Sequence, residues 1–296
     1  MPFLQLTVDI GPRNPQALED ALFAAGAVSV TLLDAADDPV LEPAPGQTPL
    51  WPTIAVRALF ADDANPDELA QVVREACGPG IAEPTFERIA DKAWEREWLK
   101  DFRPMRFGRR LWVCPGGLPA DDPDAVRIEL DPGLAFGTGT HATTAMCLEW
   151  LDAQPPARLH GTHVIDYGCG SGILAVAALK LGAARVTATD IDPQALLATS
   201  QNAARNGVAD RIEVTADPQA GGRPAGLLLA NILAGPLVTL APTLARLVQP
   251  QGMIALSGLL VEQAGTVAEA YRPWFDIGLT GTRDGWGLLG GSRRDR

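Results

Sequence analysis

The segment from Val164 to Gly172 combines one acid with regularly spaced glycines. Its sequence is VIDYGCGSG, so Asp166 precedes Gly168, Gly170 and Gly172, and the helix-like run ILAVAALKLGA follows at once. A strand that enters a helix through such a turn lets a ligand approach bare backbone, because glycine has no side chain and adopts conformations that other residues avoid. The pattern therefore predicts a ligand site at the end of a strand.

A second acid, Asp190, ends the next predicted strand, ARVTATD, about 20 residues beyond the glycine turn. In doubly wound nucleotide-binding sheets, an acid at the tip of the neighbouring strand binds the hydroxyls of a ribose. The two segments together predict a cofactor that contains adenosine.

The spacing of the glycines favours one adenosine cofactor over others. Dinucleotide-binding turns read G-x-G-x-x-G and face a pyrophosphate, whereas this turn reads D-x-G-x-G-x-G. The carboxylate of Asp166 would repel a pyrophosphate but suits an ammonium group. S-adenosylmethionine has an ammonium group, an adenosine and no phosphate, so it is the predicted cofactor. A NAD-dependent oxidoreductase, or a plain strand-to-helix turn with acids as helix caps, is the alternative.

Several other polar residues are candidates for the same site. Asn231 ends the apolar run LLLAN, where a polar side chain is costly to bury unless it is hydrogen-bonded. We predict that it contacts the cofactor and orients the acceptor nitrogen, the alternative being an asparagine satisfied in the core or in a turn. Thr143 and Thr144 either bind the amino-acid end of the cofactor or cap a helix. His141 is equally compatible with a general base and with loop packing.

The glycine-rich loop 133–141, GLAFGTGTH, precedes the helix ATTAMCLEWLD. It contains no lysine, so it does not match a phosphate-binding P-loop. We predict that it folds over the cofactor as a lid.

Three regions follow from the order of the predicted elements. Residues 1–90 read strand–helix–strand–strand–helix–strand, which predicts a small ferredoxin-like α+β domain. Residues 91–104, DKAWEREWLKDFRP, are predicted to be a charged helical linker with an aromatic stripe. In residues 105–296 strands and helices alternate, which is typical of an α/β domain with a doubly wound, mostly parallel sheet and helices on both faces.

The formal charge of −12 is concentrated near the N-terminus of the 296-residue chain. Residues 1–90 contain 14 Asp and Glu against 4 Lys and Arg, a net charge of −10, and the remainder carries −2. The electric field of these acids repels nucleic acid and attracts basic partners. The alternative is that the negative charge only keeps the protein soluble.

The composition of the chain indicates where the protein is located and whether it binds a metal. The four cysteines form no C-x-x-C pair, which favours reduced thiols in a cytoplasmic protein, and the three histidines predict no metal site. No basic-then-apolar signal peptide is recognised at the N-terminus. The uncharged stretch 224–245 is interrupted by Asn231 and prolines, so we predict a buried strand and a core helix rather than a membrane span.

Five stretches of the chain resemble the ribosomal protein L11 methyltransferase family, the PrmA type. They are WEREWLKDFRPMRFGRRLWVCP, LDPGLAFGTGTHATTAMCLEWLD, VIDYGCGSGILAVAALKLGA, TDIDPQALLATSQNAARNGV and LLLANILAGPL. The resemblance implies a seven-stranded, Rossmann-like methyltransferase domain behind an N-terminal substrate-recognition domain. It also implies that Thr144, Gly168, Asp190 and Asn231 contact the cofactor.

The same resemblance implies transfer of methyl groups from S-adenosylmethionine to lysine side-chain amines and the N-terminal amine of ribosomal protein L11. Many methyltransferases that act on planar nitrogens carry N-P-P-aromatic where this chain has Asn231-Ile232-Leu233-Ala234. That departure disfavours a base or glutamine acceptor. We expect a monomer with a basic protein substrate, no direct nucleic-acid binding and no membrane. A non-catalytic adapter, or a methyltransferase for another amine, is the alternative.

Overall fold

The computed structural model describes residues 2–36, 51–89, 103–120, 122–130, 141–219 and 222–295. The chain divides into two compact units, residues 1–97 and 98–296. The predicted helical linker falls largely on residues 90–102, and the predicted lid on residues 131–140, both outside the described residues.

The N-terminal unit is an antiparallel sheet with two helices. Its elements are β1 (Phe3–Gly11), α1 (Gln16–Ala24), β2 (Ser29–Asp34), β3 (Ile54–Ala61), α2 (Pro66–Cys77) and β4 (Thr85–Ile89). The strand order β2-β3-β1-β4, with β1 antiparallel to both β3 and β4, is the ferredoxin-like arrangement. The predicted fold of this unit is therefore confirmed.

Each of the two helices of this unit begins at an Asn-Pro pair. In α2 the side chain of Asn65 accepts a hydrogen bond from the backbone N–H of Asp67, and Pro66 is the first helical residue. In α1 the side chain of Asn14 accepts from the N–H of Gln16, and the helix begins there, just after the proline. Alternate residues of β1 and β3 are buried against the helices, which gives the unit its own apolar core.

The second unit opens with a small sheet of three strands. These are β5 (Met105–Phe107), β6 (Leu111–Pro115) and β7 (Val126–Leu130), with β6 antiparallel to β5 and parallel to β7. From the sequence, residues 105–296 were expected to form one doubly wound sheet, so this separate three-stranded sheet was not predicted.

The main sheet has seven strands in the order β10-β9-β8-β11-β12-β14-β13. They are β8 (His163–Tyr167), β9 (Arg185–Thr189), β10 (Ile212–Thr215), β11 (Ala225–Asn231), β12 (Val248–Leu260), β13 (Phe275–Arg283) and β14 (Trp286–Arg293). Its helices are α3 (Ala142–Ala153), α4 (Pro156–Leu159), α5 (Ile173–Lys180), α6 (Pro193–Arg205), α7 (Ala234–Leu247) and α8 (Ala264–Tyr271), with 3-10 turns at Ala209–Arg211 and Val261–Gln263. The first five strands are parallel and β14 is antiparallel to both neighbours, which confirms the predicted seven-stranded α/β fold.

Both faces of this sheet are buried. Val164 and Leu227 belong to the apolar cluster that includes α3 and α5, whereas their neighbours Ile165 and Leu228 belong to the cluster that includes α7 and α8. This alternation explains why the strands read as continuous apolar runs. The uncharged stretch 224–245 forms β11 and most of α7, and in the described part of the chain no helix is long and apolar enough to cross a membrane.

Candidate functional site

A cleft of about 780 Å³ lies at the carboxyl ends of β8, β9 and β11. Ligands of open α/β sheets bind at this edge, and the volume lies within the range of small-molecule sites. Among the described residues that line the cleft, Asp190 is the only aspartate, glutamate, lysine or arginine. The site is therefore a largely apolar cavity with one fixed carboxylate.

Backbone hydrogen bonds hold the first wall of the cleft, which we call the glycine wall: the turn 168–172 and the tip of β9. The N–H groups of Gly168 and Cys169 both donate to the carbonyl oxygen of Thr189, at 2.8 and 3.0 Å. The N–H of Gly170 donates to Oδ2 of Asp190 at 2.9 Å. The turn is thus tied to the neighbouring strand before any ligand binds.

Asp190 presents a carboxylate that is partly satisfied by backbone. Oδ2 accepts from Gly170, and Oδ1 accepts from the N–H of Asp192 at 3.0 Å. Each carboxylate oxygen can accept more than one hydrogen bond, so both retain capacity for a ligand hydroxyl. The next residue, Ile191, lines the cleft with 98% of its surface exposed, which leaves an apolar surface for a flat ring.

The wall facing the glycine turn, which we call the opposite wall, comes from β11, the start of α7 and β14. Asn231, Ile232, Leu233 and Trp286 line it. The side-chain amide of Asn231 donates to Oγ1 of Thr144 in α3 at 3.2 Å. In the described residues its carbonyl oxygen has no partner, so it is available to accept a hydrogen bond from a ligand.

Close packing fixes Ile232 between two glycines. A Cβ at residue 168 would overlap the side chain of Ile232, and a Cβ at residue 258 would overlap its backbone carbonyl. Both Gly168, with φ of +76°, and Gly258, with φ of +84°, also have the left-handed backbone that other residues rarely adopt. The opposite wall therefore approaches the glycine turn only because side chains are absent at these two positions.

His141 caps α3 at the mouth of the cleft. Its Nδ1 lies 2.7 Å from Oγ1 of Thr143, and its ring makes an edge contact with Trp286 at 5.0 Å between centroids. The geometry accounts for His141 as a cap and a packing residue. A role as a general base stays open.

Asp166 is buried behind the glycine wall rather than on its surface. The carboxylate is fully buried, Oδ2 accepts from the N–H of Ala175 at 3.0 Å, and Oδ1 has no partner among the described residues. Burial, with a smaller contribution from the nearby Asp190, raises the pKa of Asp166 to about 7, although the hydrogen bond from Ala175 lowers it. Burial and Asp166 also raise the pKa of the Cys147 and Cys169 thiols to about 12, so neither thiol is ionised at neutral pH.

The predicted site residues separate into two groups. Gly168, Gly170, Asp190 and Asn231 line the cleft, whereas Asp166 and Thr144 are buried behind it, Thr144 in contact with Asn231. Cofactor contacts by all six stay predictions.

Most of the apolar cleft wall was not predicted from the sequence, including Ile191, Ile232, Leu233 and Trp286. An isoleucine directly after Asp190, the acid that ends a strand, could have indicated that Ile191 lines the site. No local pattern indicated Trp286, because it lies more than a hundred residues beyond the glycine turn. In the described parts of the chain, no cluster of three or more metal-ligating side chains is present.

The cleft fits S-adenosylmethionine in three respects. Asp190 can accept from both hydroxyls of a ribose, and Ile191 offers an apolar surface to adenine. Gly168 lines the cleft, and because a Cβ there would overlap Ile232, this part of the lining is bare backbone.

Comparisons with known proteins agree with this geometry. The family described as ribosomal protein L11 methyltransferase (PrmA) matches residues 2–294. The chain is 52% identical to the ribosomal protein L11 methyltransferases of Pseudomonas paraeruginosa and Azotobacter vinelandii, over 99% of this chain and 99% and 100% of those proteins. A crystal structure of the ribosomal protein L11 methylase of Lactobacillus delbrueckii subsp. bulgaricus is 34% identical with a TM-score of 0.57, and the match covers 65% of this chain and all of that one.

Proposed function

The chain belongs to the ribosomal protein L11 methyltransferase family, and we propose that it methylates lysine side-chain amines and the N-terminal amine of ribosomal protein L11. Its cofactor is S-adenosylmethionine, which supplies an activated methyl group when bound. The observation that carries the proposal is the composition of the cleft. A largely apolar cavity has the Asp190 carboxylate on one wall and, on the other, the amide oxygen of Asn231, which has no partner among the described residues.

The glycine wall is the cofactor side in this proposal. Asp190 binds the ribose diol, and Ile191 covers the adenine. The amino-acid end then lies near the turn and α3, where Thr143 lines the cleft. The predicted contact of Asp166 with the ammonium group requires a change of position or an intervening water, because its carboxylate is fully buried.

The opposite wall is the acceptor side. The carbonyl oxygen of Asn231 accepts one N–H of the incoming amine and holds the nitrogen lone pair towards the methyl group. Thr144 fixes the Asn231 amide from behind. The N–C bond forms as the S–C bond breaks, so the contribution of these residues is alignment.

Deprotonation of the acceptor follows from the polarity of the cleft. A lysine ammonium, with a pKa of about 10.4, must lose a proton before its nitrogen can attack. A largely apolar cleft favours the neutral amine, and the proton passes to water as the ammonium enters. Both Cys147 and Cys169 keep their protons at neutral pH, which disfavours a route through a thiolate.

The direct test is incubation of the purified chain with labelled S-adenosylmethionine and unmethylated ribosomal protein L11, with mass spectrometry of the product. Methyl groups on lysine side chains and on the N-terminal amine are expected. Methyl groups on other side chains, or cofactor binding without transfer, would contradict the proposal.

The acidic N-terminal unit is the proposed recognition unit for this basic substrate. Asp20, Asp63 and Glu87 are exposed there and form no ion pair within the described structure. Replacing the three by Asn, Asn and Gln should raise the KM for the protein substrate and flatten its dependence on salt, because long-range attraction is screened by ions.

The matched control removes the same charge from the second unit. Asp210→Asn, Glu213→Gln and Glu262→Gln also neutralise three exposed acids. Equal KM values in the two triple variants would contradict recognition by the N-terminal unit. An unchanged KM for S-adenosylmethionine in both is expected, because none of the six residues lines the cleft.

A further inference from the structure

Three polar side chains are buried along one face of α6 and of the residue that caps its C-terminus. Thr199, Asn202 and Asn206 follow each other at helical spacings of three and four residues, with exposures of 0%, 4% and 7%. A buried polar side chain lowers stability unless it is hydrogen-bonded. The partners of these three side chains therefore show what the face of α6 does.

Two of the three hold the glycine turn. Oγ1 of Thr199 donates to the carbonyl oxygen of Gly170 at 3.1 Å, and Nδ2 of Asn202 donates to the carbonyl oxygen of Ser171 at 2.9 Å. The N–H of Gly170 is bound from the other side by Asp190. The peptide groups on both sides of Gly170 are thus fixed, one by the tip of β9 and one by α6.

The turn needs such external restraint because of its own composition. Gly168, Gly170 and Gly172 have φ angles of +76°, +53° and +77°. Glycine reaches these angles without strain but is also the residue least restricted to them. A site that is already ordered loses less freedom when a ligand binds, so restraint of the turn favours affinity.

The third side chain has different partners. Nδ2 of Asn206 donates to the carbonyl oxygen of Glu129 in β7 at 2.6 Å, and its Oδ1 accepts from the N–H of Glu129 at 2.9 Å. Asn206 therefore joins α6 to the small sheet and does not touch the turn. Asn206 is the C-cap residue of α6, one helical turn after Asn202, and it matches Asn202 in residue type and in burial.

We propose that Thr199 and Asn202 are positioning residues for S-adenosylmethionine, which hold the carbonyl groups of the glycine turn so that the turn is ordered before the cofactor binds. The inference rests on the cofactor of the cleft and not on the identity of the methyl acceptor.

The first experiment compares Asn202→Leu with Asn206→Leu by isothermal titration calorimetry with S-adenosylmethionine. Both variants lose buried hydrogen bonds, so both should lower the melting temperature. Only Asn202→Leu should raise the Kd, by about tenfold, with less than about a twofold change for Asn206→Leu. Equal changes in Kd, or no change in either, would overturn the proposal.

The second experiment uses Thr199, where the two replacements differ by the hydroxyl. Thr199→Ser keeps the donor to Gly170 and should keep the affinity, whereas Thr199→Val removes it and should weaken binding several-fold, by about the effect of one hydrogen bond. With saturating cofactor, kcat should be the same in both. Equal affinities of the Ser and Val variants would overturn the role of Thr199. If wild-type protein binds the cofactor but does not methylate ribosomal protein L11, the proposed acceptor fails while these affinity comparisons still decide the role of α6.

Discussion

The two walls of the cleft are stabilised in different ways. Hydrogen bonds from the turn to Thr189 and Asp190 hold the glycine wall. The opposite wall depends on the packing of Ile232 between two glycines and on the side-chain hydrogen bond from Asn231 to Thr144. This difference predicts that substitutions in the two walls have different effects. Changes in the glycine wall should weaken cofactor binding, and changes in the opposite wall should lower stability or turnover.

The largest effect is expected at Gly258, which packs against the backbone of Ile232. Gly258→Ala forces a side chain into a left-handed backbone and against a carbonyl group that cannot move alone. The strain and the overpacking should together lower the free energy of unfolding by about 3 kcal/mol, measured by urea denaturation.

A control for this change is Gly265→Ala in α8, where no atom lies within 4 Å of the added Cβ. That variant should be as stable as the wild type or slightly more stable, since alanine favours a helix. Similar losses in the two variants would show that packing at Ile232 does not hold the opposite wall.

Asp190→Ala should give the largest effect on the glycine wall. It removes the proposed ribose contact and the acceptor for the N–H of Gly170. The Kd for S-adenosylmethionine should rise about 100-fold, which corresponds to loss of hydrogen bonds to a charged group. Calorimetric titration measures this directly.

Asp192→Ala is the matched comparison, because Asp192 caps α6 and does not line the cleft. It should cost some stability through the lost cap but leave cofactor affinity intact. A normal Kd in Asp190→Ala would break the assignment of the glycine wall to the cofactor.

A smaller effect is expected at Asn231. Asn231→Ala removes the amide oxygen that holds the amine, so kcat should fall about tenfold while the Kd for S-adenosylmethionine changes little. Thr144→Val keeps the amide but removes its hydrogen-bond partner and should lie between wild type and Asn231→Ala in kcat. A rise in Kd with unchanged kcat would place Asn231 on the cofactor side instead.

The smallest effect concerns Asp166, whose carboxyl is buried behind the glycine wall. Its pKa of about 7 lies above the ordinary value of 3.8. The folded state therefore holds the proton more tightly than the unfolded chain, and this group lowers the free energy of unfolding as pH rises between those two values. Relative to Asp166→Asn, the melting temperature of the wild type should fall by about 2–4 °C between pH 6 and pH 7 without cofactor. A difference that is constant with pH would contradict the buried carboxylate.

The same contrast explains what the sequence could predict. The glycine wall is nearly continuous in the chain, from Asp166 to Gly172 and then Asp190, so spacing alone indicated its position and its ligand. The burial of Asp166 behind the turn could not be predicted from the sequence. The alternation of residues within a strand does not show which face of the strand the next turn covers. The ferredoxin-like order was readable because both helices open with an Asn-Pro pair between short apolar runs.

The opposite wall was less predictable, since long-range packing builds it. Asn231 was identified because a polar residue within an apolar run is conspicuous. The contacts of Ile232 with Gly168 and Gly258, and the approach of Trp286 to His141, join segments that are far apart in the chain. No local pattern of residues encodes such contacts.

The division of the cleft into a cofactor wall and an acceptor wall is tested most directly by a crystal structure with S-adenosylhomocysteine, the product of methyl transfer. We predict that both ribose hydroxyls lie within hydrogen-bond distance of the carboxylate of Asp190, that adenine lies on Ile191, and that the sulfur faces Asn231. A ribose bound beside Trp286, or a sulfur directed away from Asn231, would contradict the account.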